Sequence, residues 1–569
     1  MPRFSPRTSD TRPQNDAGGP PVDRRLGSVA AAPSRGVRLG ALLGAFLFGV
    51  TSLALPASAA PDELRNAPTD EPSPVEGPNP AGTLPPTAAA AGATEPGPPE
   101  ALVAALDSLA ADAIYSKAVV GIHVADAVTG ERVYSWGDDR PLIPASTMKM
   151  VTAAVALRTL GAEYRFPTWV LYDGTLEPDG VLKGNVYIKG QGDPTMVIER
   201  LWRLVMDLKL HGIHEVRGDI VFDAGYFADS ALVPGWGKQE DIEDGPTYFA
   251  PLGALSLNYN IAAIMVRPGA PGQAAVAELD TPTAAVVIEN HLNTGRAKSR
   301  RTLKVERTVE PETMVTTFKL TGSIPADAEP DYTYRALADP LGNYIGAFPA
   351  LLAQHGIKVK GKLRPGTTPS ADVELLYKQE SEPLATILAA MNKQSNNFMA
   401  EQILRSVGAE RQGLPGSTAK GLQEVDAYFA ELGIPAGSWS ALNGSGLSRG
   451  TGLRPSQLTA MLVDMWNDPA NGPEFVTSLA VGGRDGTLWS RFRDPALEGR
   501  VRGKTGSLTG VHCLSGYVEA SDGRTFAFSF LVNDIDGAVS RARKAHDRLV
   551  LTLAGSTGSV VDGEEPVNP

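Results

Sequence analysis

Residues 144–160 read Pro144-Ala145-Ser146-Thr147-Met148-Lys149 and continue through MVTAAVALRTL to Leu160. From Met148 onward the stretch is strongly helical, rich in Met, Ala and Leu. Positions i and i+3 lie on one face of a helix, so Ser146 and Lys149 are neighbours at its first turn. A serine hydroxyl is a poor nucleophile until a base takes its proton. Lysine is such a base only when burial and a second positive charge bring its pKa from ~10.4 toward 7, a change of roughly 4 kcal/mol. The helix N-terminus adds backbone N–H groups for a developing oxyanion. Taken alone, Ser-x-x-Lys is also an ordinary helix start with a solvated lysine, so other stretches must distinguish the two.

Two stretches do so. Leu384, Ile387, Leu388 and Met391 mark one helix face, and Ala400, Ile403, Leu404 and Val407 mark another. Gln394 to Asn397 therefore sit at a break between helices, where Ser395 and Asn397 can present a hydroxyl and an amide to a cleft. The competing reading is a polar helix cap. Gly503-Lys504-Thr505-Gly506-Ser507 lies on a strand. There Gly506 lets a substrate backbone approach the strand edge, and Lys504 supplies a cation that depresses the Lys149 pKa and attracts a carboxylate. A phosphate-binding loop is excluded, because Glu498 occupies its first glycine position and the motif does not precede a helix.

In this order, Ser-x-x-Lys, Ser-x-Asn and Lys-Thr-Gly resemble the signature of the penicillin-recognising serine enzymes. The 249 residues from Ser146 to Ser395 are too many for a simple β-lactamase. The chain looks like the class C low-molecular-mass penicillin-binding proteins, the D-alanyl-D-alanine carboxypeptidase/endopeptidase family, across about 101–555. Gly190-Gln191-Gly192-Asp193-Pro194, Pro234-Gly235-Trp236, Gly444-Ser445-Gly446 and Gly486-Thr487-Leu488 support the resemblance.

The resemblance implies an α+β fold: a β-lactamase/transpeptidase-like core with an antiparallel five-stranded sheet flanked by helices, an all-helical subdomain, and a large, mainly β insertion after the nucleophile helix. It implies that Ser146 attacks the carbonyl of the penultimate D-alanine with Lys149 as general base, and that Ser395 relays a proton to the leaving amine. Asn397 would hold the substrate amide and Lys149. Lys504 and Thr505 would bind the terminal carboxylate, and backbone N–H groups of Ser146 and Ser507 would form the oxyanion hole. Asp223 resembles an acid of the insertion that reads a free amino group on the diamino acid of the peptide. Arg449 would meet a carboxylate. For both, an ordinary surface salt bridge of small value is the competing reading. Where the family usually has Asp-Gly-Ser-Gly, this chain has Asn443, which puts the local charge in doubt. The expected partners are peptidoglycan stem peptides and acylating β-lactams. The expected activity is that of a D,D-peptidase extending to D,D cross-links, with a β-lactamase or esterase on the same core, or a silent wall-binding protein, as alternatives. Nothing in the motifs calls for a metal or cofactor.

The rest of the chain fits around this core. At ~150 residues per domain, 569 residues suggest three or four units. The first 38 residues hold seven Arg and no Lys, and an apolar run from Leu39 to Leu55 ends in Pro56-Ala57-Ser58-Ala59. This is the layout of an export signal over 1–59, although the run is also near the minimum for an uncleaved membrane anchor. Either way, the bulk of the protein is expected in the periplasm or outside the cell. Residues 60–100 carry eleven prolines and read as a tether, and 558–569 read as a disordered tail. Between them, 101–165 and 361–557 form the expected catalytic domain, with 166–360 as the insertion. Helices at both ends, Val119–Val124 with Arg132–Tyr134, and strands near 499–507, 514–519 and 526–533 supply its sheet. The insertion shows strand signals at Val181–Lys189, Asp219–Asp223, Ala284–Glu289 and Val315–Thr321.

The balance of 52 Lys+Arg against 64 Asp+Glu gives −12, which excludes nucleic acid as a natural partner and leaves Lys149 and Lys504 as a local positive focus. One cysteine, Cys513, rules out an intrachain disulfide framework and sits in an apolar strand pattern, where burial is expected. His211, His214 and Glu215 match no zinc-protease motif, and no G-x-S-x-G elbow is present.

Overall fold

The two ends of the described chain build one sheet. The computed structural model describes residues 100–555 apart from 113–114, 229–230, 237–243, 496 and 536–538. The expected leader and tail, and the tether up to residue 99, lie outside the described residues. Helix α1 (Glu100–Ala110) leads into the hairpin β1 (Val119–Asp126) and β2 (Arg132–Trp136), and helix α2 (Met148–Leu160) follows. After the insertion come α3 (Leu384–Gln394), α4 (Asn397–Gln412), α5 (Thr418–Glu431), α6 (Pro455–Asn467) and α7 (Gly472–Ser478). The short strand β3 (Ala480–Val481), then β4 (Val501–Leu508), β5 (Val511–Glu519), β6 (Thr525–Asn533) and helix α8 (Val539–Leu553) complete the core.

The sheet order is β2-β1-β6-β5-β4-β3, with every pair antiparallel. The expected five strands are present, and two-residue β3 adds a sixth at the edge. Strands β5 and β6 are buried along almost their whole length, because helices cover both faces of the sheet. On one face, Ile122, Val124, Leu514, Phe528 and Phe530 pack with Leu106 of α1 and Leu549 of α8. On the other, Cys513, Tyr517, Ala527 and Leu531 join the core of the helical layer. Each such large apolar side chain contributes about 1.5–3 kcal/mol by leaving water. Helix α2 is buried at every position from Met148 to Leu157, so it is the axis around which the other helices pack. That explains a sequence apolar or small all round rather than on one stripe.

The insertion leaves and re-enters the core at one point. Phe166 N donates to Ser381 Oγ at 2.9 Å, and Ser381 N donates to the Phe166 carbonyl at 3.0 Å. Its main sheet has the order Leu363–Pro365, Ile220–Asp223, Val186–Gly190, Pro167–Tyr172, Glu374–Glu380. Helices Ile198–Leu210 and Pro340–His355 pack on it through Leu204, Phe348 and Phe222. A second set of strands, including Ile261–Arg267 and Thr316–Thr321, encloses its own core of Ile264, Phe318 and Leu320.

Two sequence boundaries change. Leu363–Pro365 and Glu374–Glu380 pair with insertion strands, so the insertion runs to about residue 380 and not 360. The single strand expected at Val181–Lys189 is two, Val181–Lys183 and Val186–Gly190, in different sheets. The Asp173 carboxylate accepts from Asn185 N at 2.5 Å and holds the turn between them.

Candidate active site

Ser146 sits in a 3-10 turn, Ala145–Thr147, that runs directly into α2. Ala145 adopts φ +46°, a conformation costly for a residue with a Cβ, and Gly446 makes room for it. A Cβ at Gly446 would stand 1.9 Å from the Ala145 carbonyl oxygen. Gly506 does the same from β4: its missing Cβ would lie 2.7 Å from the Pro144 carbonyl oxygen. The glycine of Lys-Thr-Gly therefore lets the nucleophile turn, as well as any substrate, approach the strand.

Lys149 is fully buried one turn along, with Nζ 3.0 Å from Ser146 Oγ. It also donates to Asn397 Oδ1 at 2.6 Å and to the Ser445 carbonyl at 2.9 Å. Those two partners can only accept. When the amine is neutral they take its hydrogens, and its lone pair faces the one partner with a proton to give, the Ser146 hydroxyl. The Asn397 amide is oriented by its other end, where Nδ2 donates to the Tyr248 carbonyl at 3.2 Å.

Asn397 opens α4 directly after the expected break. Ser395 caps α3 in the left-handed conformation, φ +58°, and the Asn396 side chain accepts from Met399 N to cap α4. Lys504 Nζ donates to Ser395 Oγ at 2.8 Å and to the Thr505 carbonyl at 2.9 Å. The Ser395 hydroxyl hydrogen thus remains available to a third group. Thr505 Oγ1 donates to Thr487 Oγ1 at 2.9 Å. Strand β3 pairs only with Arg502 and Gly503, so from Lys504 onward the outer edge of β4 carries no partner strand among the described residues. Ser146, Ser395, Asn397, Thr505, Ser507 and Arg449 line one cleft of about 1140 Å³.

Burial pushes the Lys149 ammonium down to about 7, against the upward pull of the buried Glu401 carboxylate. Burial, and then repulsion by Lys149, hold Lys504 well below an ordinary lysine. The sequence reading ascribes the lowering of Lys149 to burial and a second positive charge; in the structure burial is the larger cause, and the Lys149 and Lys504 ammonium groups disfavour each other's charge.

The two peptide-reading candidates differ in outcome. Arg449 is exposed at the cleft, its Nη2 donating to the Thr509 carbonyl at 2.5 Å. Asp223 is buried, with Oδ1 accepting from Gly225 N at 3.0 Å and Oδ2 from Thr368 N at 2.8 Å. It is not among the residues lining the cleft; both its oxygens tie down chain of the insertion. At Asn443, Oδ1 accepts from Gly446 N at 3.0 Å, as a carboxylate would, while Nδ2 donates to the Pro234 carbonyl at 2.9 Å, as a carboxylate cannot. Cys513 is buried, and burial raises its thiol to about 12. Three residues without a role in the sequence reading belong to the site: Glu401, Thr487 and Tyr248.

Residues 102–553 match the D-Ala-D-Ala carboxypeptidase 3 (S13) family. The chain belongs to that family. It is 34% identical over 471 residues to the D-alanyl-D-alanine carboxypeptidase of Actinomadura sp. (strain R39), covering 80% of this chain and 84% of that one. It is 26% identical over 410 residues to the D-alanyl-D-alanine carboxypeptidase DacB of Haemophilus influenzae, covering 70% and 83%. The crystal structure of penicillin binding protein 4 (dacB) from Haemophilus influenzae superposes with a TM-score of 0.67 at 23% identity, over 78% of this chain and 98% of that one. The family fold expected from the three motifs is thereby established.

Proposed function

We propose that this member of the family is a serine D,D-peptidase of peptidoglycan, cleaving the terminal D-Ala-D-Ala bond of stem peptides through an acyl-enzyme on Ser146. The observation that carries the reading is the contact set of Lys149: a buried amine with two pure acceptors and one hydroxyl. Neutral Lys149 takes the Ser146 proton as Oγ attacks the carbonyl of the penultimate D-alanine. Backbone N–H groups of Ser146 and Ser507 hold the oxyanion. Ser395, fixed by Lys504, relays to the leaving amine the proton that Lys149 took from Ser146 as the C–N bond breaks, which returns Lys149 to its neutral form. Lys504, Thr505 and Thr487 receive the terminal carboxylate, whose charge restores the Lys504 ammonium that burial opposes. Water then attacks the ester, giving its proton to neutral Lys149, which returns one to Ser146 Oγ as the C–O bond breaks.

Arg449 at the cleft rim suits a carboxylate on the peptide side chain, and the open edge of β4 suits a second peptide strand, so the reading extends to D,D cross-links. The same nucleophile accepts β-lactams. A structure of the Haemophilus influenzae protein complexed with a novel β-lactam supports this. The basic leader and apolar run of residues 1–59 support export, toward the compartment that holds this substrate. Assay of released D-alanine from a synthetic stem pentapeptide tests the activity. Wild type releases it and Ser146→Ala does not; equal release by both would remove the reading.

A further inference from the structure

The Lys149 contacts continue one layer further. The Ser445 carbonyl that accepts from Lys149 lies on a loop whose own N–H groups are gripped by one carboxylate: Ser445 N donates to Glu401 Oε1 at 2.7 Å and Gly444 N to Glu401 Oε2 at 3.0 Å. Glu401 is fully buried and lies four residues after Asn397, so one turn of α4 carries both the amide that touches Lys149 and the carboxylate behind it. Thr152, on the α2 face below Lys149, donates to the Gly444 carbonyl at 2.7 Å and closes the clamp from the other side. A buried carboxylate with both oxygens on backbone N–H groups needs a counter-charge. Among the described residues, the charged groups that act on Lys149 are Glu401 from α4 and Lys504 from β4.

We propose that Glu401 is a positioning residue of the reaction: it fixes the Gly444–Ser445 loop that holds Lys149 and serves as the buried counter-charge of that lysine. This rests on the reading of Lys149 as the general base. The sign follows from Coulomb's law. A negative charge beside Lys149 favours the ammonium and opposes the desolvation that disfavours it. Without that charge the amine loses its proton at lower pH but is a weaker base, so the enzyme works over a wider acid range at a lower ceiling. Burial also raises the Glu401 carboxyl itself, with the two backbone donors and Lys149 pulling it back.

The test is the pH dependence of acylation by a fluorescent penicillin, from pH 5 to 9, in the full-length protein. Glu401→Gln is expected to move the acid limb down by about one pH unit or more and to lower the plateau about 3- to 10-fold. Glu401→Asp keeps the charge while weakening the grip, so its limb stays with the wild type and only its plateau falls. A Glu401→Gln limb that does not move, or a Glu401→Asp limb that moves as far as that of Glu401→Gln, overturns the proposal. Failure of both variants to fold also overturns it, in favour of a purely structural carboxylate. Lys149→Met separates the two levels. If it is inert while the Glu401→Gln limb is unmoved, only the role of Glu401 falls; if it acylates normally, the role of Lys149 as base falls with it.

Discussion

Lys149 Nζ and Asn397 Oδ1 meet at 2.6 Å, and the amide that makes the contact is turned toward the lysine by the inserted domain, through the Tyr248 carbonyl at its other end. A carboxylate here would raise the Lys149 pKa and would lose the donor to Tyr248. Asn397→Asp is therefore expected to acylate about 10-fold more slowly at pH 7 and to recover part of the loss toward pH 9, because a neighbouring opposite charge moves a pKa by ~1–3 units. Fluorescent-penicillin labelling rates at the two pH values check it.

Ser395 has Lys504 as a donor to its oxygen and so keeps its own hydrogen for the leaving group. Ser395→Ala removes the relay and leaves Ser146, Lys149 and their contacts in place. Acylation by a peptide substrate should fall by about 10²–10⁴-fold, the usual worth of a positioned proton donor. An unchanged melting temperature would separate this loss from misfolding.

The close approach of the Gly446 loop to the nucleophile turn predicts intolerance of a single methyl group. Gly446→Ala would place a carbon 1.9 Å from the Ala145 oxygen, at a backbone φ of +75° that alanine resists. A destabilisation of about 2 kcal/mol or more is expected, with loss of acylation because Ala145 precedes the nucleophile. Chemical denaturation together with labelling measures both.

Two buried histidines behind the end of β4 predict the acid stability of the core. Burial lowers His546 to about 3 and His512 to about 4, in each case helped by Arg491. Both are held neutral when folded and take up protons more readily when unfolded. Their contribution is complete above about pH 6.5, the free value, and is lost as pH falls from there toward 4 for His512 and 3 for His546. Melting temperatures measured between pH 7.5 and 4.5 should drop across this window, and His546→Leu should flatten the drop.

What was legible in the sequence was local. Ser146 and Lys149 are one helical turn apart, the apolar faces of α3 and α4 leave a visible break at Ser395, and the apolar runs of β5 and β6 announce buried strands. The insertion border was not legible. Glu374–Glu380 is a polar, half-exposed strand whose partner, Pro167–Tyr172, lies some two hundred residues away, and nothing nearby in the chain distinguishes it from the core. The surroundings of Asp223 were not legible for a related reason: Val221-Phe222-Asp223 places a carboxylate at a strand end, but the Thr368 N–H that donates to it comes from a loop far along the chain. Glu401 did leave a signal, a carboxylate between Ala400 and the Ile403–Leu404 pair and one helical turn after Asn397. Its significance appears only when the Gly444–Ser445 loop is seen against it.

If Lys149 makes Ser146 the nucleophile, mass spectrometry of the protein after incubation with benzylpenicillin will show it. One long-lived penicilloyl adduct is expected, mapping to the peptide that contains Ser146 and absent from Ser146→Ala and Lys149→Met. An adduct on another residue, or none, would contradict it; an adduct on Ser146 lost within seconds would make the protein a β-lactamase instead.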